Sequence, residues 1–218
     1  EEMAGSVAHA VNNPLQALLG TVEMARQQMI EKDLALARIH QLAQRVERVV
    51  RGTLRVVRSG HMELETQTCR SLCDRLMGEI EPRARQAQIE LVWKIGTGLP
   101  HLSADSTLFV AALTGIVENA LHVTPRGGQV SIEASSVRSG SVVRFCVADQ
   151  GPGIPESLHA RILEPFFTTR GGGTGLGLSI ANGIIQGHKG KLRFDARPGG
   201  GTIVTIELPA EGVFVPAP

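Results

Sequence analysis

The chain has no tyrosine, one tryptophan and six phenylalanines in 218 residues. So few flat rings exclude the stacking platforms on which single-stranded nucleic acids lie. Charge of either sign is also lacking in excess: 22 Lys and Arg face 21 Asp and Glu, a net of +1. That balance leaves no electrostatic footprint for nucleic acid or a membrane surface. Three cysteines cannot complete a disulfide framework, and a reducing, cytoplasmic setting is expected. Cys69 and Cys73 stand four apart with no histidine or further cysteine near them in sequence, so packed thiols are expected rather than metal ligands. No apolar run approaches the roughly 20 residues of a membrane span, so no membrane contact is expected from this stretch. Glu1-Glu2 is neither an initiator nor a signal peptide, so the chain reads as an excised fragment.

Three common catalytic loops are missing as well. A P-loop needs G-x-x-x-x-G-K-[ST], and Gly190-Lys191 is followed by Leu192. A dinucleotide fingerprint needs a third glycine where Leu178 stands. Ser179 lacks the flanking glycines of a hydrolase elbow.

What is present is a 42% hydrophobic chain able to bury a core. Its first 58 residues lack turn clusters and read as two helices. Val11, Leu15, Leu18, Val22, Ala25 and Met29 mark a heptad seam on the first. Ile39, Leu42, Val46, Val49, Thr53 and Val56 mark the second, after a polar break at 31–33. A hairpin cannot bury both seams alone, and pairing with a second copy into a four-helix bundle is the economical solution. A basic stripe beside the second seam, including Arg38, Arg45 and Arg48, reads as a solvated face.

Ser59-Gly60-His61 reads as a hinge. Beyond it, strands are predicted at 63–68, 88–95, 129–137, 141–148, 190–197 and 202–208. Helices are predicted at 70–86, 105–122 and 175–187. The fold class is therefore α+β: a helical hairpin over 1–60, then an α/β sandwich over 61–210 with one mixed, mostly antiparallel sheet and helices on one face. Residues 211–218 read as a tail or linker.

Asn119, Asp149-x-Gly151-x-Gly153 and Gly173-x-Gly175-x-Gly177 follow one another in this second part. An amide oxygen suits Mg²⁺, and a carboxylate beside tight turns can accept from an adenine amino group. A second glycine run opening a helix lets backbone N–H groups close on phosphates. Together they describe a pocket for a metal-bound nucleotide.

Residues 105–208 closely resemble the ATP-binding domain of sensor histidine kinases, within the wider family of gyrase-type and chaperone-type ATPases. Glu118-Asn119-Ala120 resembles the N box, and the stretch from Asp149 to Pro155 the first glycine box. Glu164-Pro165-Phe166-Phe167-Thr168-Thr169 resembles the F box, and Gly171 to Ser179 the second glycine box. His9-Ala10-Val11-Asn12-Asn13-Pro14-Leu15 resembles the phospho-acceptor box of the dimerising phosphotransfer domain.

The resemblance implies Mg²⁺–ATP as the bound species, with Asn119 on the metal and Asp149 on the adenine. Gly151 and Gly153 would let the backbone approach the base, and Gly173, Gly175 and Gly177, with Leu176 among them, would close the lid. His122 stands where a basic residue near the phosphates is common, and Arg170 lies in an unusually short lid. Phe166 and Phe167 would tether that lid. His9 would receive the γ-phosphoryl group and pass it to an aspartate of a response-regulator receiver domain, within a homodimer. Asn13 matches the position that orients water for dephosphorylating that aspartate.

Three positions depart from the family pattern. Ala10 replaces the acidic residue that usually follows the acceptor histidine. Gly115 stands where related ATPases carry a water-activating glutamate, and Val123 replaces an aromatic residue. Two further readings stay open beside the kinase: an ATP-binding scaffold or phosphatase-biased relative with weak autokinase activity, and a nucleotide-driven clamp ATPase, which Gly115 disfavours.

Overall fold

A computed structural model describes residues 16–40, 42–43, 62–165, 167–169 and 175–211. Residues 16–26 (α1) and 32–40 (α2) are helical, with the connection close to the polar break. Seam residues Leu18, Val22, Ala25, Ile39 and Leu42 are half-buried, while Met29 is 67% exposed. The other seam positions lie outside the described residues, as does the 59–61 hinge.

The remainder runs β1 (Glu65–Gln67), α3 (Cys69–Ala87), β2 (Glu90–Ile95), β3 (Leu102–Ala104) and α4 (Ser106–Val123). It continues through β4 (Gln129–Val137), β5 (Val142–Ala148), two 3-10 turns, α5 (Gly177–Gly187), β6 (Lys191–Ala196) and β7 (Thr202–Pro209). Five strands form one sheet in the order β2-β4-β5-β7-β6, parallel between β2 and β4 and antiparallel elsewhere. Instead of one sheet there are two, because β1 and β3 pair separately as a short antiparallel ribbon. β3 is three residues long, too short for alternation to register in sequence.

Alternation along β4, β5 and β7 sends Ile132, Phe145 and Ile206 inward and Glu133, Arg144 and Glu207 outward. Helices α3, α4 and α5 cover the inward face. Cys69 and Cys73 are buried there, and burial pushes their thiols up to about 11 and about 12, so neither is a reactive thiolate at neutral pH. On the opposite face Glu207 is only 6% exposed yet ionic. Its Oε1 accepts from Arg144 at 2.7 Å and Arg193 at 3.1 Å, and its Oε2 lies 3.5 Å from Arg138. The Arg144 hydrogen bonds, reinforced by the other guanidinium charges, hold its carboxyl below the usual carboxylate range.

Helix α4 begins where Asp105 caps it, Oδ1 accepting from Thr107 N at 3.1 Å and Leu108 N at 3.0 Å. Its middle is apolar, with Leu108, Phe109, Val110, Ala112, Leu113, Ile116 and Val117 all buried, which is why it is the core helix against which both α3 and α5 lie. α4 and α5 are clasped at one end by His188, 4% exposed. A carbonyl can only accept, so Nδ1 carries the proton and donates to Ile184 O at 2.7 Å. That leaves Nε2 to accept from Asp105 N at 3.0 Å. At the other end of the pair, the last turns of α4 meet the start of α5.

Candidate functional site

β5 delivers Asp149 to the edge of this meeting point. The residue is 5% exposed, and its backbone N–H continues the ladder to Thr202 O at 3.0 Å. Its Oδ1 accepts from Gly151 N at 2.8 Å and Thr202 N at 3.1 Å. Among the described residues no hydrogen bond reaches Oδ2. One oxygen is therefore consumed in orienting the carboxylate, and the other remains to accept from a ligand.

Two glycines make this orientation possible. A Cβ on Gly151 would lie 2.7 Å from Val123 Cγ2, and one on Gly201, at φ +106, would overlap the Asp149 carbonyl oxygen. The contact with Val123 matters for a second reason. Val123 is one turn beyond Asn119 on α4, so the same close approach brings the Asp149 loop against the helix that carries the amide. Thr124, the C-cap of α4, adds a hydroxyl that accepts from Gln150 N at 3.4 Å.

Asn119 is half-buried, and its Nδ2 lies 3.6 Å from where a Cβ on Gly177 would stand. Gly177 is the first residue of α5, not an interior one: Gly175, at φ +65, cannot belong to the helix, so the predicted start at 175 moves two residues on. Leu176, 7% exposed, is the N-cap and offers no side-chain hydrogen bond. The first N–H groups of α5 lack intrahelical acceptors, as at any helix start, and this positive helix end lies beside Asn119.

Asn119, Asp149, Gly151 and Gly177 are joined by this chain of contacts, and Leu176 directly precedes Gly177. Gly153, at φ +81, turns the loop after Asp149, and a Cβ there would sit 3.4 Å from Gly201 O. His122 is exposed on the last turn of α4, and no hydrogen bond among the described residues ties it to the cleft. Phe167 is held by Arg161, whose guanidinium lies 4.4 Å from its ring centroid. His9, Ala10, Asn13, Phe166, Arg170 and Gly173 lie outside the described residues.

Sequence reasoning missed Gly201, Thr202 and Arg197, whose Nη1 donates to Asp149 O at 2.9 Å. The signal was there in Gly199-Gly200-Gly201, since three successive glycines exceed what a β-turn needs.

The cleft suits a nucleotide. Among the described residues it offers a carboxylate oxygen that accepts no hydrogen bond, for a base amino group, a helix start for phosphate, and the Asn119 amide beside that helix start. Among the described residues no group of three or more His, Cys, Asp or Glu could hold an ion.

Residues 104–212 match the model of the histidine kinase-, DNA gyrase B- and HSP90-like ATPase family. The sensor histidine kinase ZraS of Salmonella typhimurium is 32% identical over 215 residues, covering 95% of this chain and 45% of ZraS. The chain thus spans about half the length of this curated relative or less. The crystal structure of histidine kinase ThkA in complex with response regulator TrrA superposes with a TM-score of 0.79 at 25% identity, covering 96% of this chain and 61% of that one. Full-length ShkA in complex with AMPPNP gives 0.70 at 27% identity, covering 94% and 46%. With a family match over the whole cleft-bearing part, and sensor histidine kinases as relatives along nearly all of its length, the chain belongs to the histidine kinase-, DNA gyrase B- and HSP90-like ATPases as a sensor histidine kinase catalytic core.

Proposed function

We propose that this chain binds Mg²⁺–ATP in the Asp149 cleft, phosphorylates itself on His9, and passes the phosphoryl group to an aspartate on a response-regulator receiver domain. The observation that carries the reading is the divided Asp149 carboxylate, with Oδ1 held by two backbone amides and Oδ2 reached by no hydrogen bond among the described residues, on the loop packed against the helix that brings Asn119 to the start of α5. The complex of ThkA with TrrA supports a receiver partner, and the complex of ShkA with AMPPNP supports an adenine nucleotide.

In this reading Asp149 Oδ2 accepts from the adenine 6-amino group, and Gly151 and Gly153 let the base approach the backbone. The amides opening α5 take phosphate oxygens, with Gly173, Gly175, Leu176 and Gly177 forming the closing edge and Arg170 and His122 adding positive charge. Asn119 would hold Mg²⁺, which would supply charge neutralisation for the transferring phosphoryl group. Neutral His9 then attacks the γ-phosphorus in line; an N–P bond forms, the bond to the bridging oxygen breaks, and ADP leaves. The imidazole proton passes to solvent, since Ala10 offers no base. Attack by the receiver carboxylate later breaks the N–P bond and frees His9, and Asn13 orients the water that hydrolyses the resulting acyl phosphate.

Residues 1–60 serve as the dimerising hairpin of a four-helix bundle, 61–210 as the ATP-binding domain, and 211–218 as a tail or linker. The half-buried seam residues Leu18, Val22 and Ile39 support a second copy covering them. The setting is cytoplasmic, in a full-length protein free to carry a membrane anchor.

Incubation with γ-labelled ATP should yield an acid-labile, alkali-stable label that His9→Gln abolishes. A label that survives His9→Gln refutes the assignment. Ala10 favours one second reading, an ATP-binding scaffold or phosphatase-biased relative. ATP uptake without label, together with faster loss of phosphate from a phosphorylated receiver, would select it.

A further inference from the structure

Arg197 stands in the turn between β6 and β7, outside every motif described above, and its guanidinium reaches back to the cleft. Its Nη1 donates to the backbone carbonyl of Asp149 at 2.9 Å. The other side of that peptide unit, Gln150 N–H, donates to Thr124 Oγ1 at 3.4 Å. The same hydroxyl donates to Ala120 O at 2.9 Å, next to Asn119 on α4. The Asp149–Gln150 peptide is therefore gripped on both sides by side chains from two separate elements.

The turn that carries Arg197 is itself closed. Arg197 N donates to Gly201 O at 3.0 Å, and Gly200 N donates to Arg197 O at 3.0 Å. Gly201 is pressed against the Asp149 carbonyl so closely that no Cβ fits between them. A hydrogen bond from a charged donor is about twice as strong as a neutral one, and it polarises the peptide so that its N–H binds Thr124 more firmly. The consequence falls on the side chain. Asp149 Oδ1 is pinned to the next turn of the loop and to Thr202, so any rotation of the Asp149–Gln150 peptide swings Oδ2.

We propose that Arg197 is a positioning residue for adenine recognition: by fixing the Asp149–Gln150 peptide it keeps Oδ2 aimed at the 6-amino group of the base. This rests on the nucleotide reading above. The competing role, bracing of the turn alone, makes a different prediction about base discrimination.

The test is calorimetric binding to the full chain of two magnesium nucleotides, ATP and purine riboside triphosphate, which lacks the 6-amino group. The readout is the ratio of their affinities. Arg197→Met keeps the apolar stem, and it is expected to weaken ATP by about tenfold while leaving the second nucleotide within about twofold, so the ratio collapses. Arg197→Lys restores one charged donor and should recover part of the ratio. Arg197→Gln, with a neutral donor, is the second variant should the methionine chain fail to melt cooperatively, and it should also lower the ratio. Equal weakening of both nucleotides, or an unchanged ratio in a folded variant, overturns the proposal. A parent protein that takes up no ATP refutes the nucleotide reading itself, whereas one that binds ATP beside variants of unaltered ratio refutes only the role of Arg197.

Discussion

Replacing Gly201 by alanine tests whether the Asp149 carboxylate is oriented by close backbone approach. The added Cβ would overlap the Asp149 carbonyl oxygen and come within 2.9 Å of its carbon and 3.1 Å of Oδ1. All three atoms are tied into the fold, so none can rotate aside. Gly201 also sits at φ +106, where an L-residue is strained by about 1–2 kcal/mol. Overpacking adds about 1–3 kcal/mol, for a total of about 2–5 kcal/mol. Gly199→Ala is the matched control, with φ +87 and nothing within 4 Å of a Cβ, so it carries the strain without the overlap. Each kcal/mol lowers Tm by about 2–4 °C in a domain of this size. Thermal melting should therefore separate the two variants by several degrees, Gly201→Ala the lower. Calorimetry should show ATP affinity falling by about tenfold or more in Gly201→Ala alone, because relief of the overlap detaches Oδ1 from Thr202 N. Equal melting temperatures and equal ATP affinities for the two variants would refute the reasoning.

Three other outcomes are expected. Ala10→Glu supplies a proton acceptor beside His9 and should speed phospho-His9 formation from ATP, measured by label incorporation, toward the 10²–10⁴-fold range of a general base, on the order of tenfold at the least; an unchanged or lower rate contradicts the reading of position 10. His188→Leu leaves the Asp105 N–H without its acceptor and should cost about 1–3 kcal/mol in a denaturant titration, and a loss under a few tenths would show that the clasp is replaceable. Glu207 has a folded-state value below its unfolded one, so its contribution is present above the ordinary carboxylate range and is lost as pH falls through the folded value; Glu207→Gln should therefore be less stable near neutrality and show a flatter acid limb, and an unchanged acid limb would contradict the ionic account.

Much of the site was legible in the sequence because its requirements are local. Asp149 must be followed by glycines at 151 and 153 for the loop to turn and approach Val123, and that spacing is visible in the chain. Alternation along 129–137 and 141–148 gave the hairpin, and Arg138, Ser139 and Gly140 duly take positive φ between the strands. The parts that were not legible depend on distant partners. Arg197 and Thr202 act on a residue about fifty positions earlier, and nothing in their own neighbourhoods announces it. His188 looks like any packed histidine until Asp105 is placed opposite its ring. β3 is too short to carry a period, and the helix start at Gly177 is set by the positive φ of Gly175, a choice that a run of glycines leaves open.

The cleft as an adenine nucleotide site, with Asp149 as its reader, is tested most directly by titrating Mg²⁺–ATP into the parent protein and into Asp149→Asn. An amide keeps the shape but can place a donor where Oδ2 would accept from the base, so measurable binding in the parent and a loss of at least about a hundredfold in the variant is the expected result. Equal heats from both proteins, or none from the parent, would contradict it.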